Sequence, residues 1–441
     1  MDQDFKVIEE CSGDIRLSPL QIPSPEAILT NRIDITRHQE KTSEIEVEAM
    51  GRIYDFISRT ISDAGQKVAL IGYNSARFDI PFLRTSLIRN GINPYFNGQI
   101  IYRDLLHAVR KLSCIDPDFP RSSGSNQDQN KLSLRLETIC KELSLLDGKQ
   151  THDSYDDVLI TIKLAEALLK RCKLDVRTYE AYEAINFHQD KNSHPIIQSS
   201  IPNYDLQLAK LSIEKPLALL DADHRQSLWV DLNRYLEHPD RTAISWSGVN
   251  SSQLILAKNQ DIPENLLKIR DQAIQDFSKV RISNFFPKSS CDIEQDIYRL
   301  DFNDIKILSD AIWNQGKEKL NSASTRDPKV VYIRHQLSRY DSSQALNKKN
   351  DALLKKYALY RYGGDALISK FDTGNKEQAN RHRKLKDYLD SSVEILKSAS
   401  KTDARLLKSL LSHLASSDIV RVAGDELGVS PSNINQVISD S

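Results

Sequence analysis

The segment KVALIGYNSARFDIPFLR, residues 67–84, constrains the fold of this chain more than any other. Lys67 to Tyr73 is a short apolar run bounded by Gly65 and polar residues, the pattern of a strand buried in a parallel or mixed sheet. A helical pattern over 45–61 precedes it, and an Asn74-to-Asp79 turn follows, so the C-terminal end of a strand delivers a carboxylate. Ligands gather at such strand ends. An Asp that opens a helix also stabilises the helix N-terminus, and from this segment alone that plainer role stands beside the first.

A second segment, HDSYDDVLITIKLAEALLKR, runs over 152–171. Val158, Ile162, Ala165 and Leu169 recur at three- and four-residue steps and predict an amphipathic helix with that face buried. His152 stands shortly before Asp157 at the helix entrance, where an imidazole and a carboxylate reach one mouth. A metal-bound carboxylate beside a His activates water against a phosphodiester, with the His as general base near neutral pH. His and Asp near helix starts are common, and neither segment alone defines this chemistry.

Strand and helix alternate to about residue 172, which makes the first part α/β, with RSSGSNQDQNK (121–131) as a surface loop. Over 174–347 the pattern is mixed, with apolar runs KPLALLD (215–221) and VVYIRHQL (330–337), and periodicity does not define a fold there. After 348 it turns helical again: ALLKKYALYRY (352–362), a break at Gly363 and Gly364, NRHRKLKDYLDSSVEILKSA (380–399) and DARLLKSLLSHLA (403–415).

A length of 441 residues suits two or three domains. No apolar run reaches membrane-spanning length and MDQDFKVIEE lacks the pattern of a secretory signal, so a soluble, cytoplasmic protein without a membrane partner is expected. Five scattered cysteines without a CxxC pair argue for reduced thiols rather than a disulfide framework or zinc site. Lys plus Arg (60) balance Asp plus Glu (61), yet residues 348–408 hold 15 basic and 8 acidic side chains. That surplus suits a phosphate backbone, or equally a solvated helical surface.

In this order, the Asp79 and His152/Asp157 segments resemble the second and third motifs of the DEDDh exonuclease superfamily. LIGYNSARFDIPFLRTSLIRNGINPYF, IYRDLLHAVR, LSLRLETICKEL and THDSYDDVLITIKLAEALL together resemble the exonuclease I family across nearly all of residues 4–172. ALYRYGGDALISKF and its basic helix resemble that family's helical domain, and the likeness is thinnest over about 190–330. The resemblance implies an α/β protein: a ribonuclease H-like exonuclease domain over 1–172, an SH3-like domain over 173–347 and a helical domain over 348–441. It also implies a monomeric 3′→5′ exodeoxyribonuclease that degrades single-stranded DNA to mononucleotides in repair or recombination, with single-strand-binding protein as a further partner. Two Mg²⁺ ions would flank the scissile phosphate.

By the same resemblance, Asp79 and Asp157 match metal-site positions, His152 the general base and Arg135 a substrate contact. Arg84, Tyr95, Arg110, Arg361 and Tyr362 fall where the family lines its DNA groove, cations for phosphates interleaved with rings for bases. An ordinary surface Arg or half-buried Tyr fits each of those five equally well. The family's first motif, an Asp-x-Glu on its first strand, has no counterpart here, because the match begins at DQDFKVIEE. Two hard cations need more oxygen ligands than Asp79 and Asp157. The expectation is that Met1 is an internal methionine of a longer protein; the alternative is an inactive remnant that holds single-stranded DNA without cutting it. A proofreading or oligoribonuclease-type relative shares the chemistry on a far shorter chain.

Overall fold

The computed structural model describes residues 1–17, 22–42, 44–76, 78–123, 130–146, 154–178, 193–222, 226–248, 257–258, 262–282 and 385–440, together with 351, 355, 358–359 and 362–363. Helices α1 (Pro25–Asn31), α2 (Ile35–Lys41) and α3 (Glu46–Ala64) precede strand β1 (Val68–Gly72), α4 (Asp79–Arg89) and β2 (Ile100–Asp104). Then come α5 (Leu105–Ile115), α6 (Leu136–Glu142), α7 (Ser154–Cys172), β3 (Ile196–Pro202), β4 (Ser212–Ala222) and β5 (Gln226–Asp231). The rest are α8 (Leu232–Glu237), β6 (Ile244–Gly248), β7 (Ala257–Lys258), α9 (Glu264–Asp276), α10 (Leu385–Ser398), α11 (Lys401–Ala415), α12 (Asp418–Leu427) and α13 (Pro431–Asp440).

The chain divides into two compact units. The first comprises Met1–Glu10, Gln66–Phe82 and Asn97–Pro287, the second Cys11–Gly65, Leu83–Phe96 and Lys288–Ser441. In the first, β1 and β2 pair in parallel, with Val68 opposite Ile100 and Gly72 opposite Asp104, so both strands end at the same side. Their helices share a core of Leu105, Val109, Leu112, Ile139, Leu164 and Leu168. Phe5 joins that core, and the Arg177 guanidinium lies 5.1 Å from its ring centroid.

Helix α7 forms where its pattern predicts, but a different stripe is buried. Ile160, Leu164 and Leu168, with Ala165, face the core, while Val158 is 57% exposed. Apolar residues run along two adjoining stripes of this helix, and packing against α6, not periodicity, selects between them. Cys114 and Cys140 are free thiols, and burial pushes both up to about 12, which leaves them as inert packing groups.

The same unit holds a five-stranded antiparallel sheet in the order β6-β5-β4-β3-β7. Along β4, Leu217 and Leu219 join Ile197 and Trp229 on one face, while Ala218 and Leu220 join Leu228, Val230, Tyr235 and Phe277 on the other. Burial on both faces makes β4 a continuous apolar run, which is why its period-two signal is weak.

In the second unit, α11 carries Leu406, Leu407, Leu410, Leu411 and Leu414, all buried. Around it pack α1, α2, α10 and α13. Ser409 Oγ accepts a 2.7 Å hydrogen bond from the Thr36 amide, and Arg32 pairs with Asp403, so helices from both ends of the sequence share one core. Gly428 ends α12 at φ 69°, a left-handed conformation that glycine adopts without strain.

Candidate active site at the end of the parallel strands

Beyond β1 the chain reverses sharply. A Cβ on Gly72 would stand 2.5 Å from that of Ser75, closer than real contacts allow, so the turn requires glycine there. Asn74 takes φ 57°, which its short polar side chain tolerates. The Asp104 carboxylate, at the matching end of β2, fixes this turn: Oδ1 accepts from the Asn74 amide at 2.7 Å and Oδ2 from the Ala76 amide at 3.0 Å. Oδ1 also caps α5 through the Leu106 amide at 2.9 Å. One carboxylate thus ties two strand ends and a helix start together.

This clamp places Asp79 in the first turn of α4. Partial desolvation of its carboxyl, reinforced by the negative charge of Asp104 and opposed by a backbone hydrogen bond, raises its pKa above the ordinary value. Phe78 and Phe82 flank it, 67% and 58% exposed, with ring centroids 6.3 Å apart and planes inclined by 14°. The two rings form an outward-facing aromatic surface beside the carboxylate.

Behind the turn, burial pushes the Tyr73 phenol upward, and its hydroxyl donates to the Leu134 carbonyl, which anchors the loop that carries the exposed Arg135. Burial lowers the pKa of His107, with Arg110 adding to the effect and Asp104 opposing it, so the ring is neutral at neutral pH. The Arg110 Nε is buried and makes no hydrogen bond among the described residues. Arg84 and Tyr95 do come together, the guanidinium lying 5.7 Å from the ring centroid, and Tyr95 is 38% exposed.

Asp157 is half-buried in the first turn of α7, next to Asp156. Tyr155 in the same turn donates to Glu10 Oε1 at 2.9 Å. Tyr362 is half-buried against the helical core of the second unit. His152 and Arg361 lie outside the described residues. Among the described residues no three His, Cys, Asp or Glu side chains cluster as metal ligands, so these residues by themselves do not form a complete two-cation site. Sequence reading passed over Asp104 and His107, which stand in a D-x-x-H spacing that starts at the last residue of β2, in IYRDLLHAVR; the spacing marks their positions but not the amides that Asp104 binds.

No family model matches the chain. An exodeoxyribonuclease I of Haemophilus influenzae is 28% identical over 177 residues, a stretch spanning 38% of this chain and 35% of that protein. The match thus takes in about a third of the relative's length. The crystal structure of E. coli exonuclease I in complex with a dA16 oligonucleotide aligns with a TM-score of 0.59 at 17% identity, covering 94% of this chain and 93% of that one. An ExoI/SSB-Ct complex aligns with a TM-score of 0.55 at 17% identity, covering 94% and 93%. The fold is therefore mixed α/β and is shared with the E. coli exonuclease I structures.

Proposed function

We propose that this chain serves a 3′→5′ exodeoxyribonuclease that degrades single-stranded DNA to mononucleotides in repair or recombination in the cytoplasm. The observation that carries the reading is Asp79, a carboxylate presented beyond the end of β1 by the Asp104-clamped turn, in a fold shared with an exonuclease I bound to an oligonucleotide. In this reading Asp79 and Asp157 belong to the donor set for Mg²⁺ and His152 is the general base. The remaining metal donors come from outside the described residues. Arg135 takes a phosphate, and Phe78 and Phe82 offer rings to terminal bases.

The three-domain division at about 172 and 347 belongs to the same proposal. So does a single-strand-binding protein as partner, which the likeness to the ExoI/SSB-Ct complex supports. Incubation of the full chain with 5′-labelled single strands and Mg²⁺ tests the reading. Progressive shortening, abolished by Asp157→Asn and by Asp79→Asn, is expected. A second reading, a non-catalytic single-strand binder, is favoured by the incomplete cluster of metal donors among the described residues. Retention of the strand in a gel without shortening selects it over the enzyme.

A further inference from the structure

The last two helices of the second unit carry a pattern that the nuclease reading leaves unused. Gly428, Val429 and Ser430 alone join α12 to α13. Ile419, Val420, Ala423 and Leu427 of α12, Val429 of the turn and Ile434 of α13 are all buried. A Cβ on Gly424 would stand 2.5 Å from the Val429 carbonyl oxygen, so the turn folds back on α12 more closely than a side chain permits. The Val429 amide donates to the Gly424 carbonyl at 2.9 Å, and Ser430 Oγ caps α13 by accepting from the Asn433 amide at 3.2 Å. Two helices joined by a short glycine-containing turn, the second also packed on α11, make a helix-turn-helix.

The outward side of α13 has a distinct chemistry. At about 100° per residue, Ser432, Asn435, Gln436 and Ser439 share the arc opposite Ile434, with Asn433 on its flank, and all five are exposed. The side-chain amides of Asn433, Asn435 and Gln436 make no hydrogen bond with the described residues. A solvated helix face ordinarily carries Lys, Glu or Arg, which favour the helix, whereas Asn disfavours it. Here Asp440, at the far end, is the single charged side chain of α13. Exposed Lys386 of α10 passes the turn, its Cδ 4.0 Å from where a Cβ on Gly428 would stand, and it has no ion pair among the described residues. On α12, Glu426 pairs with Lys355 and Asp418 with Arg421, so Asp425 is the one acid of that helix without an ion pair among the described residues.

We propose that α12 and α13 form a docking surface for duplex DNA, with α13 in the major groove, Asn435 and Gln436 on adenine edges and Lys386 on a flanking phosphate. A neutral amide presents a donor and an acceptor side by side, which matches the N6 and N7 edge of adenine. In a helix-turn-helix the second helix enters the groove and its N-terminal half meets the bases. A partner helix needs an apolar stripe and an acidic protein needs cations along α13; this face has neither, whereas amides beside one cation suit base edges beside a phosphate. The inference goes beyond the single-strand reading, since the ligand is base-paired and the residues belong to the second unit, while Asp79 belongs to the first.

Selection from a library of randomised duplexes by the full chain, followed by fluorescence anisotropy on the enriched duplex and a scrambled one, tests it. Enrichment of a sequence containing adenine is expected. Replacing both amides, Asn435→Ala with Gln436→Ala, should weaken binding of the enriched duplex roughly tenfold and leave the scrambled duplex unaffected. Lys386→Ala should weaken both duplexes equally and lower the salt slope by about one phosphate contact. All three side chains are exposed, so these variants should keep the wild-type circular dichroism and the wild-type action on single strands. No enrichment of any duplex, or equal binding of the enriched duplex by the double variant and the wild type, overturns the proposal and leaves the nuclease reading standing. Duplex selection that holds as expected, in a chain that neither shortens nor retains single strands, supports the docking surface and overturns the single-strand reading instead.

Discussion

In the five-stranded sheet, Leu217 and Leu219 on one face and Ala218 and Leu220 on the other are buried, whereas every residue of β1 and β2 is half-buried. The larger sheet is held by a ladder with apolar packing on both sides. The parallel pair relies more on polar ties at its C-terminal end, where Asp104 takes three backbone amides. A sheet fixed by packing serves as a scaffold; one fixed at its strand ends holds a turn, and with it Asp79, in place. The contrast shows that the site depends on a few hydrogen bonds that the scaffold does not share.

The largest expected effect breaks the scaffold side of this contrast. Trp229 is 1% exposed, and Trp229→Ala should cost about 4 kcal/mol in urea denaturation through the cavity it leaves. Asp104→Ala attacks the other side: three amides lose an ionised acceptor, and a loss of about 3 kcal/mol is expected. Hydrogen exchange sharpens that test, since the Asn74 and Ala76 amides should lose protection in Asp104→Ala and keep it in Trp229→Ala. Equal protection in both variants would contradict the division between the two sheets.

The smallest effect concerns pH. Asp79 has a raised folded-state pKa, so the native state holds its proton more tightly than the unfolded chain does. Its stabilising contribution is present below the ordinary carboxylate value of about 4 and is lost as pH rises through the raised one. Asp79→Asn should remove that dependence, so the difference between variant and wild-type urea midpoints should change from pH 3 toward 7 in favour of the variant. A difference that stays constant across that range contradicts the assigned shift.

Elements with a local signal were legible in the sequence. The strand expected over 67–73 is β1, the helix over 45–61 is α3, and the helices over 156–171 and 403–415 are α7 and α11. The apolar run over 215–221 lies within β4, although its neighbours gave too little pattern to show an antiparallel sheet. VVYIRHQL, over 330–337, lies outside the described residues. Of the site, Asp79 was readable because a strand, a turn and a helix start are contiguous. The role of Asp104 was not, because its partners Asn74 and Ala76 lie 30 and 28 residues away.

The sequence by itself determined the positions of β1, α3, α7 and α11, that a turn runs from Asn74, and that a carboxylate ends it, because each depends on neighbours within a few residues. Only the tertiary structure decided which stripe of α7 is buried, which carboxylate fixes the turn, and that α1 and α2 share a core with α11. Those outcomes depend on groups distant along the chain, such as Thr36 and Ser409, 373 residues apart, and local periodicity carries no record of which distant surfaces will meet.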